Sequence, residues 1–280
     1  MLYLFLQVLF ASTFTLIIKW VQIRGRDDVL TIGAINYIVA AISIVPMFLL
    51  NDLAHVNTAA MLTGGSMGAV YFVAFFFAIY CIKMIGASST TAVSVLSILF
   101  PITIAAMIWD EVPSSTQVVG IGLALLALTM IGNRKGNDSD TIRPWVTPVM
   151  MLVFFLLCGC SRLAQETFKH TSVPEQRPTF VLTAFTIAAL PSLILLVGRR
   201  RPIRLKELLL GSLLGIANML QTHLILNCLE YYPGFIVFPV VSAGAIVLTT
   251  LVATGVLRER LSAGTCVGIG LAVVALFMLH

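Results

Sequence analysis

Residues 120–124 read Gly-Ile-Gly-Leu-Ala, and the same five residues return at 268–272, 148 positions later. The match extends outward at this spacing through further pairs: Glu111 with Glu259, Ser114 with Ser262, and Met130 with Met278. Upstream, glycines recur at a spacing of 147: Gly64 with Gly211, and Gly68 with Gly215. Chance similarity between apolar segments does not hold a fixed spacing over several of them. The sequence therefore predicts two copies of one unit.

The composition places both copies in a membrane. Of 280 residues, 59% are hydrophobic and 10% are charged, and the mean hydropathy is +1.02, whereas a soluble domain is about half apolar and a quarter charged. A membrane helix needs about 20 apolar residues. Ten apolar runs lie at about 2–20, 29–50, 59–82, 88–108, 116–132, 146–168, 178–197, 206–228, 233–256 and 263–279. Backbone groups in lipid need partners within their own segment, so the runs are predicted to be helices.

Polar segments separate the runs, and the longest of them, residues 132–140, divides the chain. We expect a first five-helix repeat at 1–132, a linker at 133–145 and a second five-helix repeat at 146–280. Because each repeat has an odd number of helices, the two repeats must cross the membrane in opposite directions. The predicted fold is an all-α polytopic membrane protein with ten transmembrane helices in two inverted five-helix repeats.

The basic residues favour this inversion. In the first half they lie after the first and third runs, and in the second half they lie after the seventh and ninth. With those of the linker, 14 of the 17 Lys and Arg residues share one side of the membrane, and only Lys169 and Arg177 face the other. The positive-inside rule places the 14-base side in the cytoplasm and both termini outside. Because the bases are scattered over short loops, the net charge of +5 does not indicate nucleic acid as a partner.

Each predicted repeat closes with a Glu at the end of its fourth run and a Gly-rich fifth run: Glu111 with 120–124, and Glu259 with 268–272. The first run carries a small polar stretch followed by Lys19. In these features the whole chain resembles the drug/metabolite transporter superfamily, in particular the ten-helix EamA-type transporters. The resemblance implies a secondary transporter of a cell membrane, above all a bacterial inner membrane. It implies export of an amino acid, a metabolite or a drug-like compound by alternating access.

The resemblance leaves several alternatives open. It implies termini in the cytoplasm, whereas the charges favour termini outside. It also includes relatives that move sugars or phosphorylated metabolites, so uptake or exchange of such a solute is the alternative function. Small relatives place a proton-coupling Glu in the first helix, where this chain has Ser12 and Thr13, so that mechanism is not available. The expected partners are a small-molecule substrate and the lipid bilayer, a homodimer stays open, and no cofactor is expected.

The sixth run carries the clearest polar cluster, Arg162, Gln165 and Glu166. Ionisable residues inside a membrane span are costly and are candidates for function. Arg162 and Glu166 lie four positions apart, so on a helix they share a face and can pair. Arg162 could hold a substrate carboxylate or phosphate, and Glu166 could bind an ammonium group or carry a proton. The alternative is a structural ion pair near the membrane edge, since Glu166 lies three residues before Lys169.

The eighth run is the most polar. Asn218, Gln221 and Thr222 fall on one helical stripe, which predicts a cavity wall or interhelical hydrogen bonds. His223 either relays protons or is a packed, hydrogen-bonded residue. Tyr71 in the third run matches Asn218 at the spacing of 147. An aromatic wall at Tyr71 facing a polar wall would suit an amphipathic organic solute.

Ser12 and Thr13 of the first run complete the predicted substrate-binding set. Weaker candidates lie in the second and fourth runs: Asn36, Tyr37, Ser94 and Ser97. Pro101 and Pro239 lie inside the fourth and ninth runs and are expected to bend those helices, because an interior Pro frees a carbonyl group.

An intramembrane enzyme is the competing class of protein. The sequence contains no HExxH, no GxSxG and no paired-Asp motif, so we expect no catalytic or metal-binding residues. It also contains no Walker-type Gly-rich loop, so direct coupling to ATP is not expected. The sequence leaves the substrate, the transport direction, the coupling ion and the oligomeric state undetermined.

Overall fold

The structure is a computed structural model, which describes residues 2–24, 28–50, 56–85, 87–132, 146–199 and 202–257, with seven further positions between 267 and 278. The predicted linker 133–145 and the repeat residue Glu259 lie outside the described residues, and so does most of the predicted tenth run.

Regular structure in the described residues is helical, which confirms the predicted all-α class. In chain order the helices are α1 (Leu2–Arg24), α2 (Val29–Leu50), α3 (Thr58–Ile85), α4 (Ala87–Leu96), α5 (Leu99–Ile108), α6 (Ser115–Gly132), α7 (Val146–Thr171), α8 (Arg177–Gly198), α9 (Leu205–Tyr231) and α10 (Gly234–Leu257), with a 3-10 turn at Pro174–Gln176.

Many of these helices suit a membrane by length and composition. Five stretches of the described chain are long and apolar enough to cross one: Val29–Leu50, Thr58–Cys81, Pro148–Thr171, Pro174–Gly198 and Leu205–Tyr231. Shorter apolar helices lie at Leu2–Ile18, Val93–Ile108, Ser115–Leu126 and Gly234–Thr249. Large apolar side chains such as Leu49 and Ile194 are exposed on their surfaces, as lipid contact requires. The chain is a multi-pass membrane protein.

Polar side chains cap the first turns of α2 and α3. The Asp28 carboxylate accepts a hydrogen bond from the Leu30 N–H at 3.1 Å, before the first turn of α2. The Asn57 side chain accepts one from the Ala59 N–H at 3.0 Å, at the start of α3. These contacts satisfy N–H groups that have no partner within the helix. Asp28 and Asn57 thus help to determine where these two helices begin.

The fourth apolar run is not one helix. The sequence predicts one helix over 88–108 that Pro101 bends. The single helix is wrong, because a turn at residues 97–98 separates α4 from α5. Pro101 gives the physical reason: it has no N–H to donate to the Ser97 carbonyl group four residues earlier. The Phe100 N–H donates to that carbonyl at 3.2 Å, a three-residue step that tightens the chain at this point.

The chain divides into two compact units, and each draws on both halves of the sequence. The first unit comprises Met1–Phe72 and Ala164–Tyr231, and the second comprises Val73–Leu163 and Tyr232–His280. The first unit therefore holds α1, α2, α8 and α9 with parts of α3 and α7. Each unit has its own apolar cluster, centred on Ile17, Ile32 and Leu214 in the first and on Cys81, Met150 and Phe154 in the second.

Glycines bring helix backbones into contact in the first unit. A Cβ placed on Gly64 or Gly68 of α3 would overlap the carbonyl oxygen of Phe180 or Ala184 on α8. A Cβ on Gly215 of α9 would lie 2.6 Å from the Asn36 carbonyl oxygen of α2. Only a residue without a side chain fits such a contact, so these glycines allow the helices to pack closely.

These contacts are reciprocal at the repeat spacing. Gly64 contacts Phe180, and Gly211 contacts Ile32 and Ile35. Gly211 lies 147 positions after Gly64, and Phe180 lies 148 positions after Ile32. The second glycine pair behaves alike: Gly68 contacts Ala184, and Gly215 contacts Asn36. Gly64 and Gly211 are equivalent, and they contact residues that are also equivalent, Phe180 and Ile32. The same holds for the second pair of glycines.

Helices α2 and α8, which occupy equivalent places in the two halves, run antiparallel in the first unit. Asp28, just before α2, forms an ion pair with Arg199, just after α8. Further along α2, the ring of Tyr37 lies 6.5 Å from that of Phe185, measured between centroids. Tyr37 and Phe185 are themselves 148 positions apart.

Candidate functional site

Asn218, the central residue of α9, is the hub of a polar network in the first unit. It is 1% exposed. Its Oδ1 accepts hydrogen bonds from the Tyr71 hydroxyl and from Gln221 Nε2, both at 2.9 Å. Its Nδ2 donates to Oδ1 of Asn36 at 3.2 Å. Burying an amide among apolar helices is costly unless its polar atoms are paired, and this network pairs those of Asn218.

Two tyrosines join the network to a group of aromatic rings. The Tyr37 hydroxyl donates to the Tyr71 carbonyl group at 3.0 Å. The two rings meet edge to face, with centroids 5.9 Å apart. Phe185 lies 6.3 Å from Tyr71 by the same measure. Tyr71 and Asn218 are therefore in direct contact, with aromatic rings beside them, and the role of these residues in binding a substrate stays a prediction.

Two polar atoms near this network lack hydrogen bonds. Asn36 is fully buried, and its Nδ2 has no hydrogen-bond partner in the described part of the chain. The buried Nδ1 of His223 has none either among these residues. Thr222, also predicted for the site, is 2% exposed. An unpaired buried polar group costs about 1–3 kcal/mol, so a bound acceptor beside Asn36 would be favoured.

Glu166 lies in the first unit, with Lys169 and His170 beside it on its own helix. Its side chain is fully buried, and its Oε1 lies 3.3 Å from Lys169 Nζ and 3.7 Å from His170 Nε2. The ion pair with Lys169 that the sequence offered as an alternative is therefore present. Gln165 is buried beside it and donates to the Met67 sulfur at 3.8 Å.

Arg162 lies in the second unit, on the part of α7 that precedes Ala164. Its guanidinium donates to the Ser94 carbonyl oxygen at 3.0 Å and to the Ser97 hydroxyl. The predicted pairing of Arg162 with Glu166, and the role of either residue as a substrate ligand, stay predictions.

The hydroxyl groups of Ser12 and Thr13 donate hydrogen bonds to carbonyl groups of their own helix, α1. The Ser12 hydroxyl donates to the Val8 carbonyl at 2.7 Å, and that of Thr13 donates to the Leu9 carbonyl at 2.9 Å. Thr13 also lines an open hollow of about 310 Å³ in the first unit, together with three apolar residues: Leu16, Ile17 and Leu210. Hydroxyls bonded within their own helix are common in membrane spans and do not by themselves indicate a ligand.

Sequence reasoning ranked two residues of α2 too low. Asn36 and Tyr37 stood there as weaker candidates, yet both belong to the Asn218 network. No motif or polar pattern in the sequence singles out Phe185. The available signal was the repeat spacing: Tyr37 and Phe185 are 148 positions apart, as Tyr71 and Asn218 are 147 apart. Residues that match across a two-fold repeat can meet each other at its axis.

Comparison with known proteins finds a family model that matches part of the chain. Residues 1–133 match the EamA-like transporter family. The match confirms the resemblance to the drug/metabolite transporter superfamily. A crystal structure of a protein with 16% sequence identity shares the fold, with a TM-score of 0.71 over 99% of this chain and 94% of that chain. No curated protein matches the sequence.

The EamA-like match supports a membrane transporter of small solutes. Members of this family are transporters and not enzymes. The Asn218 network fits that role chemically, since it presents amide and phenol groups beside aromatic rings. Neutral groups of this kind recognise a solute through hydrogen bonds and apolar contact.

Proposed function

We propose that the chain is a secondary transporter that exports a small organic solute by alternating access of two inverted five-helix repeats. The repeats are residues 1–132 and 146–280, joined by the linker 133–145, and together they form ten transmembrane helices. The proposed location is a bacterial inner membrane. The observation that carries the proposal is the buried network in which Tyr71 and its repeat counterpart Asn218 share a hydrogen bond of 2.9 Å.

The reciprocal glycine contacts support two repeats related by a two-fold axis. In a two-fold pair, if residue i of one copy contacts residue j of the other, then j of the first contacts i of the second. Gly64 with Phe180 and Gly211 with Ile32 satisfy this condition. The pairs Tyr71 with Asn218 and Tyr37 with Phe185 join equivalent residues, as expected for positions on the axis.

The antiparallel course of α2 and α8 supports the inversion. Two equivalent helices that run in opposite directions require that one repeat be turned over relative to the other. The Asp28–Arg199 ion pair joins a loop after the first apolar run to a loop after the seventh. The basic residues of the sequence place those two loops on the same side of the membrane.

The substrate site proposed for the first unit surrounds Asn218, which lies at the middle of its span. Transporters with inverted repeats bind their substrates near the bilayer midplane, where the repeats meet. Asn36, with its unpaired Nδ2, joins the set as a donor to the substrate. The other proposed contacts of this unit are Ser12, Thr13, Tyr71, Gln165, Glu166, Asn218, Gln221 and Thr222, with Glu166 and His223 as candidates for proton coupling.

Metabolomics of the culture medium tests this function. Cells that produce the intact chain are compared with cells that produce Asn218→Ala at the same membrane level. The matched control is Leu213→Ala, which removes an exposed apolar side chain from the same helix. A metabolite enriched in the medium by the intact chain and by the control, but not by Asn218→Ala, is the expected result.

Two other results would change the proposal. Depletion of a medium component by the intact chain would replace export with the alternative, uptake or exchange of a sugar or phosphorylated metabolite. Medium of the same composition with and without the intact chain would contradict transport of any solute that these cells contain.

A further inference from the structure

The break in the fourth apolar run leaves a main-chain acceptor without its usual donor. In a continuous helix the Ser94 carbonyl would accept a hydrogen bond from the Ile98 N–H. That N–H donates instead to the Val95 carbonyl at 3.0 Å. Pro101 favours this tighter turn, because it has no N–H to donate to the Ser97 carbonyl four residues earlier. The Ser97 hydroxyl donates to the Ser94 carbonyl at 2.7 Å, and a carbonyl oxygen in a membrane span can accept a second hydrogen bond from a donor elsewhere in the chain.

Arg162 of α7 supplies that donor. Its guanidinium donates to the Ser94 carbonyl oxygen at 3.0 Å and to the Ser97 hydroxyl at the turn itself. Gly159, three residues earlier on the same face of α7, lies against Phe100, and a Cβ there would come within 2.8 Å of the Phe100 Cβ. The close approach at Gly159 and the guanidinium of Arg162 thus hold α7 against both sides of the break.

The second half of the sequence has no counterpart of this arrangement. At the spacing of 148, Ala245 and Thr249 stand in place of Ser97 and Pro101. Helix α10 runs through this region without interruption, from Gly234 to Leu257. Its own proline, Pro239, lies at a different position and does not interrupt the helix. The second half of the chain therefore forms the equivalent helix, α10, without a break. A break at this position is not a requirement of the repeat fold.

We propose that Arg162 is a positioning residue that clamps the break between α4 and α5, and that the break is a hinge of the transport cycle. The clamp stands on the contacts above, whereas the hinge rests on the proposed transporter function. Both hydrogen bonds leave the same nitrogen, Nη1 of Arg162, which carries two N–H groups, so one side chain serves the carbonyl and the hydroxyl together.

A double-mutant cycle tests the clamp without any substrate. Arg162→Ala should lower the melting temperature of the purified protein in detergent by about 5 °C, because the Ser94 carbonyl loses a charged donor. Pro101→Ala restores an N–H and allows a continuous helix. In that background, Arg162→Ala should lower the melting temperature by less than half as much. Equal losses in both backgrounds would overturn the clamp.

Controls keep this test decisive. Arg199→Ala removes another guanidinium that forms an ion pair, in the first unit, and should cost the same in both backgrounds. If Arg162→Ala cannot be recovered from the membrane, recovery of the double variant with Pro101→Ala supports the clamp, and failure to recover it overturns the clamp. A substrate ligand predicts a different result, since Arg162→Ala would then leave the melting temperature of the substrate-free protein unchanged.

A measurement of export by the double variant distinguishes a hinge from a structural kink. The double variant should regain stability but should not regain the export signal of the intact chain, because a continuous helix cannot bend at Ser97. Export at the intact level by the double variant would overturn the hinge. Absence of a signal from the intact chain would contradict the proposed function, and with it the hinge, while the stability cycle still decides the clamp.

Discussion

At the scale of single residues, the network around Asn218 shows how a buried amide is paired. Asn218 satisfies both atoms of its amide through Asn36, Tyr71 and Gln221. Since three helices contribute to this network, α2, α3 and α9, each hydrogen bond also fixes the position of one helix against another. The same residues therefore contribute to stability and, as proposed, contact the substrate.

The hydroxyl of Tyr71 gives a direct test of the network. Tyr71→Phe should lower the free energy of unfolding by about 1 kcal/mol, because it removes one buried hydrogen bond and leaves the ring in place. In an Asn218→Ala background the loss should shrink, since the partner is already absent. Tyr80→Phe on the same helix is the control, because Tyr80 is 49% exposed. Denaturation in detergent compares the intact protein with the four variants, and an undiminished loss in the Asn218→Ala background would contradict the contact.

Glu166 is the residue for which charge and position can be separated. Glu166→Gln keeps the size and one acceptor of the side chain but removes the charge and the exchangeable proton. We expect normal membrane insertion and loss of the export signal, with Glu175→Gln on the 3-10 turn as the control that retains it. Export is measured in the medium at matched membrane levels. Retained export would reduce Glu166 to a structural ion pair with Lys169.

At the scale of helices, glycines decide how closely the spans pack. A methyl group on Gly68 or Gly215 would meet a carbonyl oxygen of the neighbouring helix. Main-chain atoms cannot move aside as a flexible side chain can, so each helix pair would have to separate. The reciprocity of these contacts predicts that matched substitutions in the two halves have similar costs.

Gly68→Ala and Gly215→Ala should each lower the free energy of unfolding by about 1–3 kcal/mol, the usual cost of overpacking. Gly122→Ala is the matched control, because a Cβ there would have no other atom within 4 Å. Since Ala favours a helix more than Gly does, this control should be neutral or stabilising by up to about 1 kcal/mol. Thermal or chemical denaturation compares the three, and tolerance of Ala at positions 68 and 215 would show that the helices are not in contact there.

At the scale of the whole molecule, the distribution of charge predicts an orientation with both termini outside, whereas the family resemblance implies termini in the cytoplasm. The loops before α2 and after α8 meet through Asp28 and Arg199 and lie on the side that holds most bases. The end of α9 meets the start of α8 through an ion pair of Arg177 with Glu230, on the side that holds few bases. The positive-inside rule assigns the first group of loops to the cytoplasm.

Single engineered cysteines test this orientation in a background whose native cysteines are replaced. A membrane-impermeant thiol reagent added to intact cells should label Val173→Cys and should not label Ile203→Cys. Both positions are about half exposed, at 48% and 47%, so reactivity reports the side of the membrane and not burial. Lysed cells, in which both should react, are the control. The opposite pattern would put the termini in the cytoplasm and contradict the orientation drawn from the charges.

The sequence by itself determined the features that are local or periodic along the chain. Hydropathy is a property of consecutive residues, so it identified an all-α membrane protein. The spacing of 147–148 residues marked a repeat before any contact was known. Because Gly64 and Gly68 lie one helical turn apart, the sequence also indicated a close-packed helix face.

Only the tertiary structure decided which distant residues meet. Nothing near Asn36 or Tyr37 in the sequence shows that α2 packs on α8 and α9, yet this packing brings both residues to Asn218. Pro101 predicted a disturbed helix, but one of the two side-chain donors to the Ser94 carbonyl comes from Arg162, 68 positions later along the chain. A hydrogen bond depends on the distance between two groups in space, and the folded arrangement of the helices sets that distance.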